Sequence, residues 1–150
     1  MSKYHLAQVN IGRILGPMDG PVMKGFADQL DEINSLADGF EGFIWRLQSD
    51  AGDATSFRPF ADDDMMLINM SVWESVDALF EYTYKSDHVK VMRDRAKWFE
   101  PLKEMHMVLW WIPEGHIPTE QEAIERLEVL KEKGPTAEAF TFKQNFPMPS

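Results

Sequence analysis

Residues 65 to 73, MMLINMSVW, form an unbroken run of strand-compatible side chains with no Gly or Pro, and the chain then passes directly into helical spacing at Val76, Leu79, Phe80 and Thr83. A strand that feeds straight into an amphipathic helix constrains the rest of the chain to a sheet with helices laid on it. Ser75 stands at the junction, where its hydroxyl can accept from a backbone N–H that the first helical turn leaves unpaired. A second helical segment is expected from Ser86 to Phe99, and Pro101 ends it.

Along that second segment His88, Val91, Arg95 and Trp98 share one stripe, and Val89, Met92, Ala96 and Phe99 share the next. The apolar stripe reads as core. The other sets an imidazole, a guanidinium and an indole side by side, which suits an anionic or aromatic small molecule better than a dry interior. The same three residues also fit a half-exposed helix shoulder whose long side chains snorkel to water. Both readings stay open at this point.

Upstream, Tyr4 to Ile14 reads as a strand, and Gly16-Pro17 with Asp19-Gly20-Pro21 as a turn. Val22 to Ala37 carries Val22, Phe26, Leu30, Ile33 and Leu36 at helical spacing, and Gly39 closes that helix. Gly42 to Gln48 is a short strand. The polar stretch from Ser49 to Asp64 ends in Asp62, Asp63 and Asp64; it reads as a solvated loop, because consecutive carboxylates diverge and the fixed ligand spacing of a calcium loop is missing.

Downstream, Glu104 to Ile112 is a strand ended by Pro113 and Gly115. Thr119 and Glu122 form a capping box for a helix with Ala123, Ile124, Leu127 and Leu130 on one stripe, stopped at Gly134-Pro135. The tail places Phe140, Phe142 and Phe146 so that it should dock on a neighbour. The order predicts an α+β fold of the ferredoxin-like βαββαβ kind, with helices on one face of a four-stranded antiparallel sheet. One domain spans residues 1–150, with a core over about 4 to 113 and an added C-terminal helix and arm over 119 to 150.

Composition narrows the function classes. With no Cys, disulfide frameworks, thiolate metal clusters and catalytic thiols are excluded. A formal net charge of -10 at pH 7 argues against nucleic acid and acidic membranes as partners. Neither a signal-peptide pattern nor a membrane-length apolar run is present, so a cytoplasmic location is expected.

Period-two reading sorts the strands into two faces. One face collects Ala7, Val9 and Ile11; Phe43, Trp45 and Leu47; Met66, Ile68, Met70 and Val72; and Met105, Met107, Leu109 and Trp111. It is nearly all apolar and is expected to pack under the helices. The other collects Leu6, Gln8 and Asn10; Ile44, Arg46 and Gln48; Leu67, Asn69, Ser71 and Trp73; and His106, Val108 and Trp110. Its mixture of amides, Arg and indoles is expected to be covered by an identical partner, giving a homodimer whose sheets face each other; a wet, open sheet face is the alternative.

The blocks HLAQVNIGR (5 to 13), INSLADGFEGFIWRLQ (33 to 48), NMSVWESVDALFEYTYKSDH (69 to 88), KWFEP (97 to 101), VLWWIPEGHIPT (108 to 119) and the tail AFTF resemble an uncharacterised bacterial family, Domain of Unknown Function 3291, within the dimeric α+β-barrel superfamily. The segment VWESVDALFEYTYKSDH is similar to the second-helix signature of the antibiotic-biosynthesis-type monooxygenases. That likeness implies a cofactor-independent oxidation of aromatic substrates, with His88 at a position where those enzymes often carry His. Haem-degrading relatives use an Asn on the first strand and a Trp and a His on the second helix. Here Asn10 matches the first, Tyr82 stands near the second, and Met92 or Arg93 occupies the third. Haem-ligating members need an axial His, for which His88, His106 and His116 are open.

The residues therefore suggest a site with His88 as base, Arg46 or Arg95 holding an anion, and Asn10, Trp45, Tyr84, Trp98 and Trp110 lining it. The expected function is a monooxygenase-like or isomerase-like reaction on a small aromatic or enolisable substrate, without cofactor or metal. Its alternative is a non-catalytic dimer that binds a small molecule or haem.

Overall fold

The computed structural model describes residues 3–17, 20–47, 66–86, 93, 97–100 and 107–149. Strands β1 (Tyr4–Arg13), β2 (Phe43–Arg46), β3 (Met66–Trp73) and β4 (Met107–Pro113) form one antiparallel sheet in the order β2-β3-β1-β4. Helices α1 (Lys24–Asp38) and α2 (Val76–Lys85) follow β1 and β3, and α3 (Glu120–Lys133) follows β4. His88 and Arg95, the acidic triple 62–64 and His106 lie outside the described residues.

Local chemistry places these elements as the sequence suggests. Ser75 caps α2 by accepting from Ala78 N–H at 3.1 Å. Thr119 does the same for Glu122 N–H at the start of α3, also at 3.1 Å. Gly42 precedes β2 with φ +90, and a Cβ there would stand 2.5 Å from the Ala78 Cβ. Only glycine lets the β2 approach pass so close to the first turn of α2, where the Gly42 carbonyl accepts from Glu74 N–H at 2.8 Å.

Strand register corrects the assignment of faces. Cross-strand partners point to the same side of an antiparallel pair. β1 pairs β4 with Ala7 opposite Trp110 and Val9 opposite Val108, whereas Leu6 faces Trp111 and Gln8 faces Leu109. Val108 and Trp110 therefore belong with the apolar set, and Met107, Leu109 and Trp111 with the mixed set, the reverse of the sequence expectation. Both parities of MVLWWI are apolar, so the pattern of β4 alone carries no phase. In β2 an irregularity between Phe43 and Trp45 adds a second phase change, which leaves Phe43 packed with Trp73 and Trp45 on the opposite side.

The apolar face packs under α3. Ala7, Val9, Met70, Val72, Val108 and Trp110 form one core with Ala123, Leu127 and Leu130. The mixed face lies under α1 and α2, where Leu6, Trp73 and Leu109 pack against Ala37, Leu79 and Tyr82. The expectation of a second copy covering the mixed face is thus corrected: the chain's own helices cover it. Among the described residues, α1 and α2 lay their apolar stripes on the mixed face, and α3 lays its own on the wholly apolar one.

The tail docks on its own chain. Phe140 and Leu109 exchange backbone hydrogen bonds of 2.8 and 2.9 Å beyond β4, and the Trp111 indole donates to the Phe146 carbonyl at 3.0 Å. Phe140 is fully buried by this arrangement. Among the described residues no helix is long and apolar enough to cross a membrane.

Candidate functional site

The mixed face and the two helices do not close completely on one another. A chamber of about 220 Å³ remains between them. Its floor is the sheet, with Gln8, Asn10 and Gly12 from β1 and Leu67, Asn69, Ser71 and Trp73 from β3. Its roof comes from Phe26, Leu30, Ile33, Asn34 and Ala37 of α1 and Leu79, Tyr82 and Thr83 of α2. Phe43, Arg46, Tyr84, Phe99, Met107 and Phe142 close the sides.

A period-two strand must place a side chain on the floor at every second residue, and here those positions carry amides and a hydroxyl. Gln8 is buried and donates through Nε2 to Asn69 Oδ1 at 2.9 Å and to Ser71 Oγ at 2.7 Å. The Trp73 indole donates to the same hydroxyl at 2.8 Å. Burying this group of dipoles is tolerable because each is paired. Asn69 is exposed although it sits on an inner strand, since it opens onto the chamber. Asn10, its direct cross-strand partner, has a buried Oδ1 to which no described residue donates.

Two charged or ionisable groups border this floor. The Arg46 guanidinium holds the Asp38 carboxylate with both of its arms, Nε to Oδ1 at 2.8 Å and Nη2 to Oδ2 at 3.2 Å, and its side chain is only 13% exposed. Tyr82 donates its hydroxyl to the Ile33 carbonyl at 3.1 Å. Burial pushes its phenol well above the usual range; the Arg46 charge opposes this shift and Asp38 adds to it. Tyr82 is therefore a neutral hydrogen-bonding group at every physiological pH.

Of the residues expected to form the site, Asn10, Arg46 and Tyr84 meet at this chamber. Trp45 and Trp110 pack on the opposite face of the sheet, where the Trp110 indole donates to Glu122 at 2.9 Å. Trp98 is buried with Ile14, Met23 and Leu67, and its neighbour Phe99 reaches the chamber instead. Gly12 makes room for that ring: a Cβ there would lie 2.8 Å from Phe99 Cδ1. Gln8, Asn69, Ser71 and Tyr82 were not among the expected site residues. For Gln8, Asn69 and Ser71 the signal lies in the mixed parity of β1 and β3, which reads as an interface while the helices are assigned to the other face; Tyr82 lies on α2, outside that pattern.

Among the described residues there is no cluster of three or more His, Asp or Glu able to hold a metal. The described lining contains no His, and His116 lies on the far side of the sheet against Glu122 at 2.7 Å. These residues do not supply the axial imidazole that a haem iron would require.

A family model described as "Domain of unknown function (DUF3291)" matches residues 5–150. No curated protein matches. Among solved structures, the chain is similar to the PA3566 protein of Pseudomonas aeruginosa, with 9% identity, a TM-score of 0.49, and coverage of 77% of this chain and 99% of that one. It is also similar to a protein of unknown function from Nitrosomonas europaea, NE2512, with 10% identity, a TM-score of 0.46, and coverage of 79% and 97%.

Proposed function

The chain belongs to the DUF3291 family, and we propose that it binds a small aromatic or enolisable molecule in the chamber between its sheet and helices α1 and α2. One observation carries this reading: an open chamber whose floor is a connected set of amides and a hydroxyl, where a protein without a ligand would be expected to place aliphatic core. The aromatic walls at Phe43, Trp73, Tyr82 and Phe99 offer flat apolar area, and the amides offer orientation.

Binding is the part of the function that the described residues support. The ionisable groups of the described lining are Arg46, Tyr82 and Tyr84, and a proton transfer near neutral pH calls for a group that titrates there. The monooxygenase-like or isomerase-like reading rests on His88 as that group. The strand order β2-β3-β1-β4 and the two helices on one face support placing the fold with the ferredoxin-like proteins.

The test fills the chamber. In Asn69→Phe, a ring occupies the open floor without touching the α3 core. Saturation-transfer NMR with a panel of phenols, quinols and short aromatic amides should show binding to the wild type and its loss in Asn69→Phe, with the chain still folding cooperatively at a cost of about 1 kcal/mol for the lost Gln8 bond. Equal binding to both proteins would place the ligand elsewhere.

A further inference from the structure

We infer that the chamber is gauged for a single-ring aromatic ligand, and that Phe99, laid on Gly12, is the residue that sets its length. The inference rests on the chamber being a ligand site and goes on to name the size class of molecule and the side chain that selects it.

The floor changes character along its length. Strand register puts Asn10 opposite Asn69 and, two residues on, Gly12 opposite Leu67. Asn69 is exposed to the chamber, so a ligand's polar atom can settle against it. At the next floor position, about 7 Å farther along the strands, β1 supplies no side chain. Phe99 takes that place: its Cδ1 lies 2.8 Å from where a Cβ on residue 12 would stand. The same ring meets Phe26 of the roof edge-on, with centroids 5.1 Å apart and planes at 88°. Phe99 therefore stands from floor to roof as an end wall.

What lies behind the wall holds it in place. The Trp98 carbonyl accepts from Leu15 N–H at 2.9 Å, and Glu100 N–H donates to the Arg13 carbonyl at 2.9 Å, so the backbone on both sides of Phe99 is stitched to the end of β1. Ile14, Met23, Leu67 and Trp98 form a buried cluster on which Phe26 and Phe99 pack. A ligand cannot push the ring in that direction without opening a close-packed core. The volume agrees with this limit: an apolar cavity of about 150 Å³ takes up benzene, so a chamber of about 220 Å³ holds one ring with a short substituent.

4-Methylphenol and 4-phenylphenol share a hydroxyl and differ in what stands opposite it on the ring, so their comparison isolates length. In chemical-shift titrations at pH 7, the wild type should bind 4-methylphenol at least about tenfold more tightly than 4-phenylphenol, although the second molecule is the more apolar. Phe99→Ala and Phe99→Leu both shorten the wall, and Leu keeps an apolar contact with the Trp98 cluster if the Ala variant does not fold. In the folded variant 4-phenylphenol should bind at least as tightly as 4-methylphenol. Equal binding of the two phenols to the wild type would overturn the inference yet leave the chamber a ligand site. A tenfold preference retained in folded Phe99→Leu would also overturn it. Failure of every aromatic probe to bind the wild type would overturn the chamber reading and this inference together.

Discussion

Asn10 and Asn69 face one another across β1 and β3, yet only one of them has its oxygen satisfied by a described residue. The asymmetry comes from Gln8, two residues along the same face of β1, which reaches Asn69 and Ser71 but leaves Asn10 alone. A sheet floor built only for stability would pair both amides or replace both with aliphatic groups.

The Gln8 amide is thus the anchor of the floor. Replacing it in Gln8→Leu strips a donor from Asn69 Oδ1 and one from Ser71 Oγ, and the buried Ser71 keeps only the Trp73 indole. The expected loss is about 2 kcal/mol in chemical denaturation, with an unchanged m-value. A variant as stable as the wild type would show that this network does not hold the floor.

Tyr82 gives a prediction in alkali. Below pH 10 its phenol is protonated in both folded and unfolded chains. Above that, the unfolded chain releases the proton while burial keeps it on in the folded chain, so folding stability falls as pH rises. Tyr82→Phe lacks this proton. It should lose about 1 kcal/mol near neutral pH, through the missing bond to Ile33, and should fall off less steeply than the wild type above about pH 10. Parallel stability curves would contradict the burial of this hydroxyl.

Glu122 gives the complementary prediction in acid. Burial alone would raise its carboxyl, but hydrogen bonds from His116 and Trp110, with the charges of His116 and Arg126, outweigh that and hold it below the usual value. Its contribution is complete above the unfolded carboxyl value and is lost as pH falls through the lower, folded one. In Glu122→Gln, stability should be lower near neutral pH and should decline less between about pH 5 and pH 3. Tryptophan fluorescence follows the transition directly, because Trp110 donates to this carboxylate.

Much of this architecture is legible from residues alone. The strand-to-helix junction at Ser75, the cap at Thr119 and the helix pattern from Phe26 to Leu36 state their own boundaries, since each is a local rule about hydrogen bonds or periodicity. The faces were not legible in the same way. β4 is apolar at both parities and β2 contains a bulge, so neither strand reports which side it shows to which helix. With Trp110 read among the polar set, an interface is the expected cover for Gln8 and Asn69. The register of Ala7 with Trp110 is a long-range fact that no local pattern contains.

The tail was expected to dock on a neighbour, but the pattern named no target. It packs Phe142 against Phe80 and Tyr84, with ring centroids 5.6 Å apart in each pair, and Phe142 also lines the chamber. Phe142→Ala should therefore weaken an aromatic ligand several-fold, at about 1 kcal/mol, while Phe140→Ala, which empties a fully buried site, should cost roughly 3–5 kcal/mol of stability. Opposite rankings in calorimetry and ligand titration would reverse the roles given to the two rings.

The most direct measurement follows the side-chain amide and indole N–H signals by two-dimensional NMR as benzamide is added. Saturable shifts should appear at the Asn10, Asn69 and Gln8 amides on the chamber floor, while the indoles of Trp45 and Trp110, on the far face of the sheet, stay in place. Shifts confined to those two indoles, with the three amides unmoved, would contradict a ligand site beneath α1 and α2.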